Sequence, residues 1–271
     1  MASHGEHHDS LRSYVDDLHA SGRYWFSKAD AAGALACGPE ALRMALVRLG
    51  RKGRIVSVSR GFYVIVPQEY LAMGLLPPQL FIDDLMNYAG AEYYVGLLSA
   101  AALHGAGHQQ PQEFHVMVSE ARRPIRVKDL RLRFFVKQEI KSGTQAAIKT
   151  DTGNVTVSCP ALTALDLVAY QKRIGGLSRV ATVLSELCES VAPADLVRES
   201  EAYPTRAVVQ RLGYLLSDPL GRREQVAGLC SWLQEQPAVS AVPLEPGVPV
   251  RGAVRDRAWQ VLVNADVESD L

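Results

Sequence analysis

The chain has no apolar run long enough to cross a bilayer. Its longest, around residues 95–103 and 162–169, are broken by polar side chains well short of the ~20 residues a span requires, so no membrane segment is expected. The first eight residues are polar and contain no apolar core of the kind that directs export, and a cytoplasmic location is the expectation. Cysteine is scarce. Cys37, Cys159, Cys188 and Cys230 lie tens of residues apart, without the short paired spacing of a zinc ribbon or redox couple, which predicts free thiols in packed positions. There is no glycine-rich phosphate loop and no nucleophile elbow. Net charge is missing too: 29 Lys and Arg balance 29 Asp and Glu, so any basic surface must be local.

What is present is a chain of 271 residues, 48% hydrophobic, able to bury a substantial core in two or three domains. His4, His7 and His8 read as part of a mobile polar tail rather than a metal site. His104 and His108 have the i, i+4 spacing of a helical ligand pair, but Gly105 and Gly107 interrupt the helix between them. No cofactor or metal is expected.

The most informative stretch is 24–67. Ser27 precedes an Ala-rich run with Asp30 three residues on, the pattern by which a side-chain oxygen and a carboxylate satisfy the orphan N–H groups of a helix start. A first helix is expected over 28–36. After a Cys37-Gly38 turn, Pro39 and Glu40 open a second helix reaching about Lys52, since proline has no N–H to lose there and a carboxylate meets the positive end of the dipole. Leu42, Ala45, Leu46 and Leu49 form its inward stripe at the 3.6 period. Glu40, Met44, Val47 and Arg51 then point outward, flanked by Arg43 and Arg48. Two β-rich runs, 55–58 and 62–66, joined by Ser59-Arg60-Gly61, complete a hairpin with Arg60 at its tip.

Helix, turn, helix and hairpin in this order describe a winged helix-turn-helix, which implies DNA binding. Arginine on the outward face suits bidentate pairing with guanine, and the remaining bases suit phosphate. Between Glu40 and Val66 stand six bases (Arg43, Arg48, Arg51, Lys52, Arg54, Arg60) against one acid, a surplus of five in a neutral chain. The expected contact set is Ser27, Lys28, Pro39, Glu40, Arg43, Met44, Val47, Arg48, Arg51, Lys52 and Arg60.

Beyond Pro67, helices are expected at 80–88 and 93–103, closed by turn residues over 105–111, and Asp83-Asp84 reads as a helix-start feature. Strands follow at 114–118, 125–127, 130–136 and 155–157, with Leu130, Leu132 and Phe134 alternating against Arg131, Arg133 and Phe135, an apolar face against a cationic one. Eight bases between 122 and 141 (Arg122, Arg123, Arg126, Lys128, Arg131, Arg133, Lys137, Lys141) outnumber two acids. Arg122, Arg123, Arg126, Lys128, Arg131 and Arg133 form a second basic surface that extends a DNA footprint, meets an acidic partner, or is simply a solvated sheet face. Helices are expected at 161–170, 177–190, 194–202 and 205–216. The stretch 237–249 reads as an extended, weakly structured arm, and 254–263 as a strand or helix. From Glu186 onward thirteen acids outnumber eight bases, so the C-terminal part is acidic.

The fold class expected is mixed α+β: a winged helix at 1–67, a larger mixed α/β domain with a small sheet and a group of helices at 68–217, and an extension at 218–271 packed on it.

Four stretches carry a family resemblance: Arg60-Gly-Phe-Tyr-Val-Ile-Val-Pro67, Tyr93-Tyr-Val-Gly-Leu-Leu-Ser-Ala-Ala-Ala-Leu-His-Gly105, Pro160-Ala-Leu-Thr-Ala-Leu-Asp-Leu-Val168 and Arg211-Leu-Gly-Tyr-Leu-Leu216. With them the chain resembles the AbiEi-type antitoxin and transcriptional regulator of abortive-infection toxin–antitoxin systems. The resemblance implies a non-enzymatic phage-defence protein. It would repress its own promoter at inverted repeats, as a monomer or dimer on double-stranded DNA, and counter a nucleotidyltransferase-like toxin. Two alternatives stand beside it. Asp129, Glu139 and Lys141 have the residue types of a metal-dependent nuclease, although Glu139 and Lys141 also fit a surface pair on one strand face. A degenerate winged helix would leave a protein-binding adaptor.

Overall fold

Ser10 starts the first helix by accepting the Ser13 N–H at its hydroxyl, and α1 (Leu11–Ala20) buries Leu11, Tyr14 and Val15. The computed structural model describes residues 8–107, 112–141 and 143–267. After β1 (Trp25–Ser27), α2 (Lys28–Ala34) opens with the expected reciprocal cap: Ser27 Oγ accepts the Asp30 N–H at 2.9 Å, and the Asp30 carboxylate accepts the Ser27 N–H at 3.0 Å. The helix ends two residues before expectation because Leu35 turns extended and buries its side chain. Gly38 caps α3 (Pro39–Arg51), which has proline in its first turn and buries Leu42, Leu46 and Leu49. The hairpin of β2 (Ile55–Ser59) and β3 (Phe62–Ile65) joins β1 in a three-stranded sheet of order β1-β3-β2. Neither α1 nor β1 is signalled by the sequence reading.

His8 does not belong to a mobile tail: its imidazole lies 3.1 Å from Asp17 and edge-on to Tyr14. His4, His7 and His108 lie outside the described residues.

The chain continues through α4 (Ile82–Tyr88), β4 (Tyr93–Val95) and α5 (Leu97–Leu103). Residues 93–103 are therefore not one helix. A short, largely apolar run does not distinguish strand from helix, and the break is made at Gly96, where a Cβ would stand 2.5 Å from Met117 Cγ, and at Leu97, whose φ is 54°. Next come β5 (Phe114–Val118), β6 (Ile125–Val127), β7 (Leu130–Val136), β8 (Gln145–Thr150) and β9 (Gly153–Ser158). With β4 they form a six-stranded sheet of order β6-β7-β5-β4-β9-β8. Edge strand β8, half polar and half apolar, carries no alternation that would reveal it.

The helices α6 (Pro160–Ala169), α7 (Gly176–Leu187), α8 (Pro193–Ala202) and α9 (Arg206–Ser217) follow, then α10 (Ala227–Gln234), which was not expected. The stretch 237–249 is not a weakly structured arm. Within it β10 (Val242–Pro243) pairs in parallel with β12 (Val261–Val263), itself antiparallel to β11 (Val254–Asp256), and Leu244 is fully buried.

The fold is thus mixed α+β, with ten α-helices and three sheets among the described residues. It forms two compact units that interleave along the chain: Met1–Tyr93, Val118–Phe134 and Ala147–Thr156 in the first, Tyr94–Met117, Phe135–Ala146 and Val157–Leu271 in the second. In the first, α1, α2 and α3 pack on one another around Phe26, Leu42, Leu46 and Ile65. In the second, α6 is central: α5, α7, α8 and α9 all pack on it, and its residues 161–168 are all buried. Helices buried on every side read as apolar throughout, and Ala-Leu-Thr-Ala-Leu-Asp-Leu-Val departs from that at Thr163 and Asp166. No helix among the described residues is long and apolar enough to cross a membrane.

Candidate functional site

The inward stripe of α3 fixes what its other face presents. With Leu42, Leu46 and Leu49 buried, Glu40, Arg43, Met44, Val47, Arg48 and Arg51 are all exposed, as are Lys28, Pro39, Lys52 and Arg60. Ser27 is not on this surface; it is buried, and its hydroxyl is committed to the cap. Arg43 is forked onto Glu40, with Nε 3.0 Å and Nη2 2.6 Å from the carboxylate oxygens, and that guanidinium holds the Glu40 carboxyl below its usual range. Arg54 is tied to Asp16 at 2.6 Å. Among the described residues Arg48, Arg51, Lys52 and Arg60 have no acidic partner, so they carry the local positive charge. On the same helix face Met44 and Val47 are 43% and 37% exposed, apolar groups of a kind that meets a thymine methyl in a groove.

The second basic group lies in the same compact unit. Arg126 and Arg131 are exposed and directly opposite one another across the β6–β7 hairpin, a like-charge pairing that is unfavourable in isolation. Arg123 is exposed and Arg133 half-buried. Arg122 donates to the Ala89 carbonyl, and Lys128, at φ 52° in the hairpin turn, donates to the Gly74 carbonyl. Strand β6 packs beside β2.

Two residues counted as part of this cationic surface are interior. Phe135 is fully buried, with the Arg173 guanidinium 4.5 Å from its ring centroid. Lys137 is 7% exposed, and its ammonium donates to Asp166 at 2.9 Å and to the Tyr94 hydroxyl at 3.0 Å. Asp166, with no exposure, also accepts the hydroxyls of Tyr94 at 2.7 Å and Tyr203 at 2.8 Å. Burial, reinforced by Asp166, raises both phenols far above their ordinary range. The acid is legible in hindsight as the one charge in α6, whereas its partners come from three other parts of the chain.

Asp129 occupies the β6–β7 turn of the first unit, while Glu139 and Lys141 lie in a turn after β7 and not on a strand face. No group of three or more His, Cys, Asp or Glu is placed to hold a metal ion among the described residues. His104 Nε2 lies 2.7 Å from the Ser158 carbonyl oxygen. Cys37 is exposed, against the expectation of a packed thiol, because its turn projects between α2 and α3; Cys188 is buried, and Cys159 and Cys230 are half-buried.

Asp84, in the first turn of α4, faces the first sheet. Burial pushes its carboxyl from near 3.8 to about 6, the Trp25 indole N–H draws it down, Asp83 raises it and Arg23 lowers it. Between these values the folded chain holds a proton that the unfolded chain has lost, so this group makes stability fall as pH rises from about 4 to 6 and then level off. Asp84→Asn keeps an acceptor for Trp25 and is expected to remove that decline. Urea midpoints at pH 4.5 and pH 7.5 should lie closer together in the variant than in wild type, and an unchanged difference would refute the assignment.

Residues 94–218 match the family model of the AbiEi antitoxin C-terminal domain. The RV2827C protein from Mycobacterium tuberculosis has a similar fold, with a TM-score of 0.66 and 15% identity over 96% of this chain and 94% of that one. An antigenic nucleotidyltransferase-like protein from Paracoccidioides brasiliensis aligns at a TM-score of 0.36 and 9% identity over 55% of this chain and 88% of its own, too weak a likeness to bear on fold or function. No match was found among curated proteins. The buried cluster of Tyr94, Lys137, Asp166 and Tyr203 lies wholly inside the matched span. The likeness to the AbiEi antitoxin family is carried by residues 94–218.

Proposed function

We propose that the chain is an antitoxin that also represses its own operon: residues 1–67 act as a winged helix-turn-helix on operator repeats, and the domain matched to the family counters a nucleotidyltransferase-like toxin in the cytoplasm. The observation that carries the DNA-binding part is the outward face of α3, where unpaired Arg48 and Arg51 each stand one turn after exposed Met44 and Val47 on a helix whose opposite stripe is buried. A helix so anchored presents guanidinium groups to base edges and phosphates at once. Arg60 on the hairpin supplies a further phosphate contact, and Lys28 and Lys52 lie at the two ends of the pair of helices. The β6–β7 hairpin extends the footprint, since a phosphate between Arg126 and Arg131 relieves their mutual repulsion. Countering the toxin rests on the family match alone, and paired half-sites admit a dimer or two monomers.

The test is titration of purified protein onto a duplex of its own upstream region at several salt concentrations. Wild type should bind with a negative slope of log affinity against log salt. Arg48→Ala with Arg51→Ala should weaken binding by about 10- to 100-fold, the scale of one or two lost arginine contacts. Equal binding by wild type and variant would remove α3 from the interface. Absence of binding by wild type at low salt would favour the adaptor reading.

A further inference from the structure

We propose that Tyr88, which lies outside the winged helix, is a positioning residue for its wing: the hydroxyl holds the β2–β3 turn so that Arg60 is presented to the DNA backbone. This rests on the DNA-binding reading above and names one of its working parts.

Turn geometry supplies the argument. The hairpin reverses at Arg60-Gly61, with Gly61 at φ 78° and the register slipping between Ser57 and Ser59, so the ladder alone fixes the tip poorly. Tyr88, the last residue of α4, closes that gap. Its hydroxyl donates to the Arg60 carbonyl at 3.3 Å, and a Cβ at position 61 would stand 2.7 Å from the same oxygen. Its ring lies 5.4 Å from Phe62 and 6.4 Å from Trp25, and Trp25 stacks on Phe62 at 4.9 Å. One helical turn earlier, Asp84 takes the Trp25 indole N–H, so α4 grips the sheet at i and i+4. A restrained peptide at Arg60 fixes the direction in which its side chain leaves the turn. The guanidinium then loses less freedom on meeting phosphate, which is how preorganisation adds affinity.

The experiment is a double-mutant cycle on the upstream duplex with Tyr88→Phe, which keeps the ring contacts, and Arg60→Ala. Tyr88→Phe is expected to weaken binding about three- to tenfold, the scale of one hydrogen bond. Its salt slope should move toward that of Arg60→Ala, which loses one phosphate contact or about 0.9 in slope. In the Arg60→Ala background, Tyr88→Phe should have no further effect. If Tyr88→Phe matches wild type, or lowers affinity equally in both backgrounds, the positioning role is wrong although the DNA-binding reading stands. If wild type ignores the duplex, that reading fails and this one with it.

Discussion

Asp166→Ala is expected to destabilise the protein by about 3–5 kcal/mol, the range for removing one partner of a buried ion pair. The carboxylate has no solvent exposure and receives three donors, Lys137, Tyr94 and Tyr203. Without it, the Lys137 ammonium remains interior with the Tyr94 hydroxyl within hydrogen-bond distance and two tyrosine faces nearby, at 4.9 Å for Tyr203 and 5.6 Å for Tyr94. That position is untenable for a full charge. The measurement is urea unfolding followed by circular dichroism, and a loss under about 1 kcal/mol would show that the cluster is not a charged pair at all. The companion variant joins Lys137→Met to Asp166→Asn, which removes both charges and leaves an amide oxygen for the phenols. It should recover more than half of the loss, because the penalty lies in the orphaned charge more than in the missing attraction.

That cluster also marks the limit of what a sequence discloses. The cap on α2, the proline start of α3 and its leucine stripe depend on neighbours within four residues, and Ser27, Asp30, Pro39, Leu42 and Leu46 do in the structure what their spacing implies. The charge count over 122–141 fails at Lys137 for the opposite reason. Its counter-ion is 29 residues away on α6, and a tally along the chain treats every base as exposed. The expected contact set and the local charge surplus are altered in the same manner: within the set Ser27 is committed to its cap and Arg43 is paired with Glu40, and Arg54, counted in the surplus, is tied to Asp16. Residues 93–95 and 145–150 fail through pattern rather than distance. The first is too evenly apolar to choose between periods, and the second groups its three apolar residues together and so shows no alternation. The parallel pairing of Val242 with Val261 gives no local signal, since its closure depends on eighteen intervening residues.

Trp259→Ala is expected to cost about 3–5 kcal/mol, as removal of a buried tryptophan generally does. The ring is 2% exposed and lies directly on Gly213 of α9, where a Cβ would fall inside the radius of the ring carbons. Its surroundings are held from the same helix: Gln210 donates to the Trp259 and Ser240 carbonyls at 3.2 and 2.9 Å, and Arg211 to the Pro243 carbonyl at 2.8 Å. These contacts come from residues past 218, outside the matched family span, yet they complete the core around Leu212 and Leu216. The reciprocal change sharpens the test. Gly213→Ala should destabilise wild type by about 1–3 kcal/mol through overpacking against the indole. In the Trp259→Ala background the same change should become neutral or stabilising, because the obstruction is gone and alanine is the better helix former by about 1 kcal/mol. A sign reversal of this kind is specific to direct contact. Equal effects of Gly213→Ala in both backgrounds would mean that the C-terminal segment does not dock on α9, and a Trp259→Ala variant with wild-type urea stability would mean that it contributes nothing to the antitoxin fold.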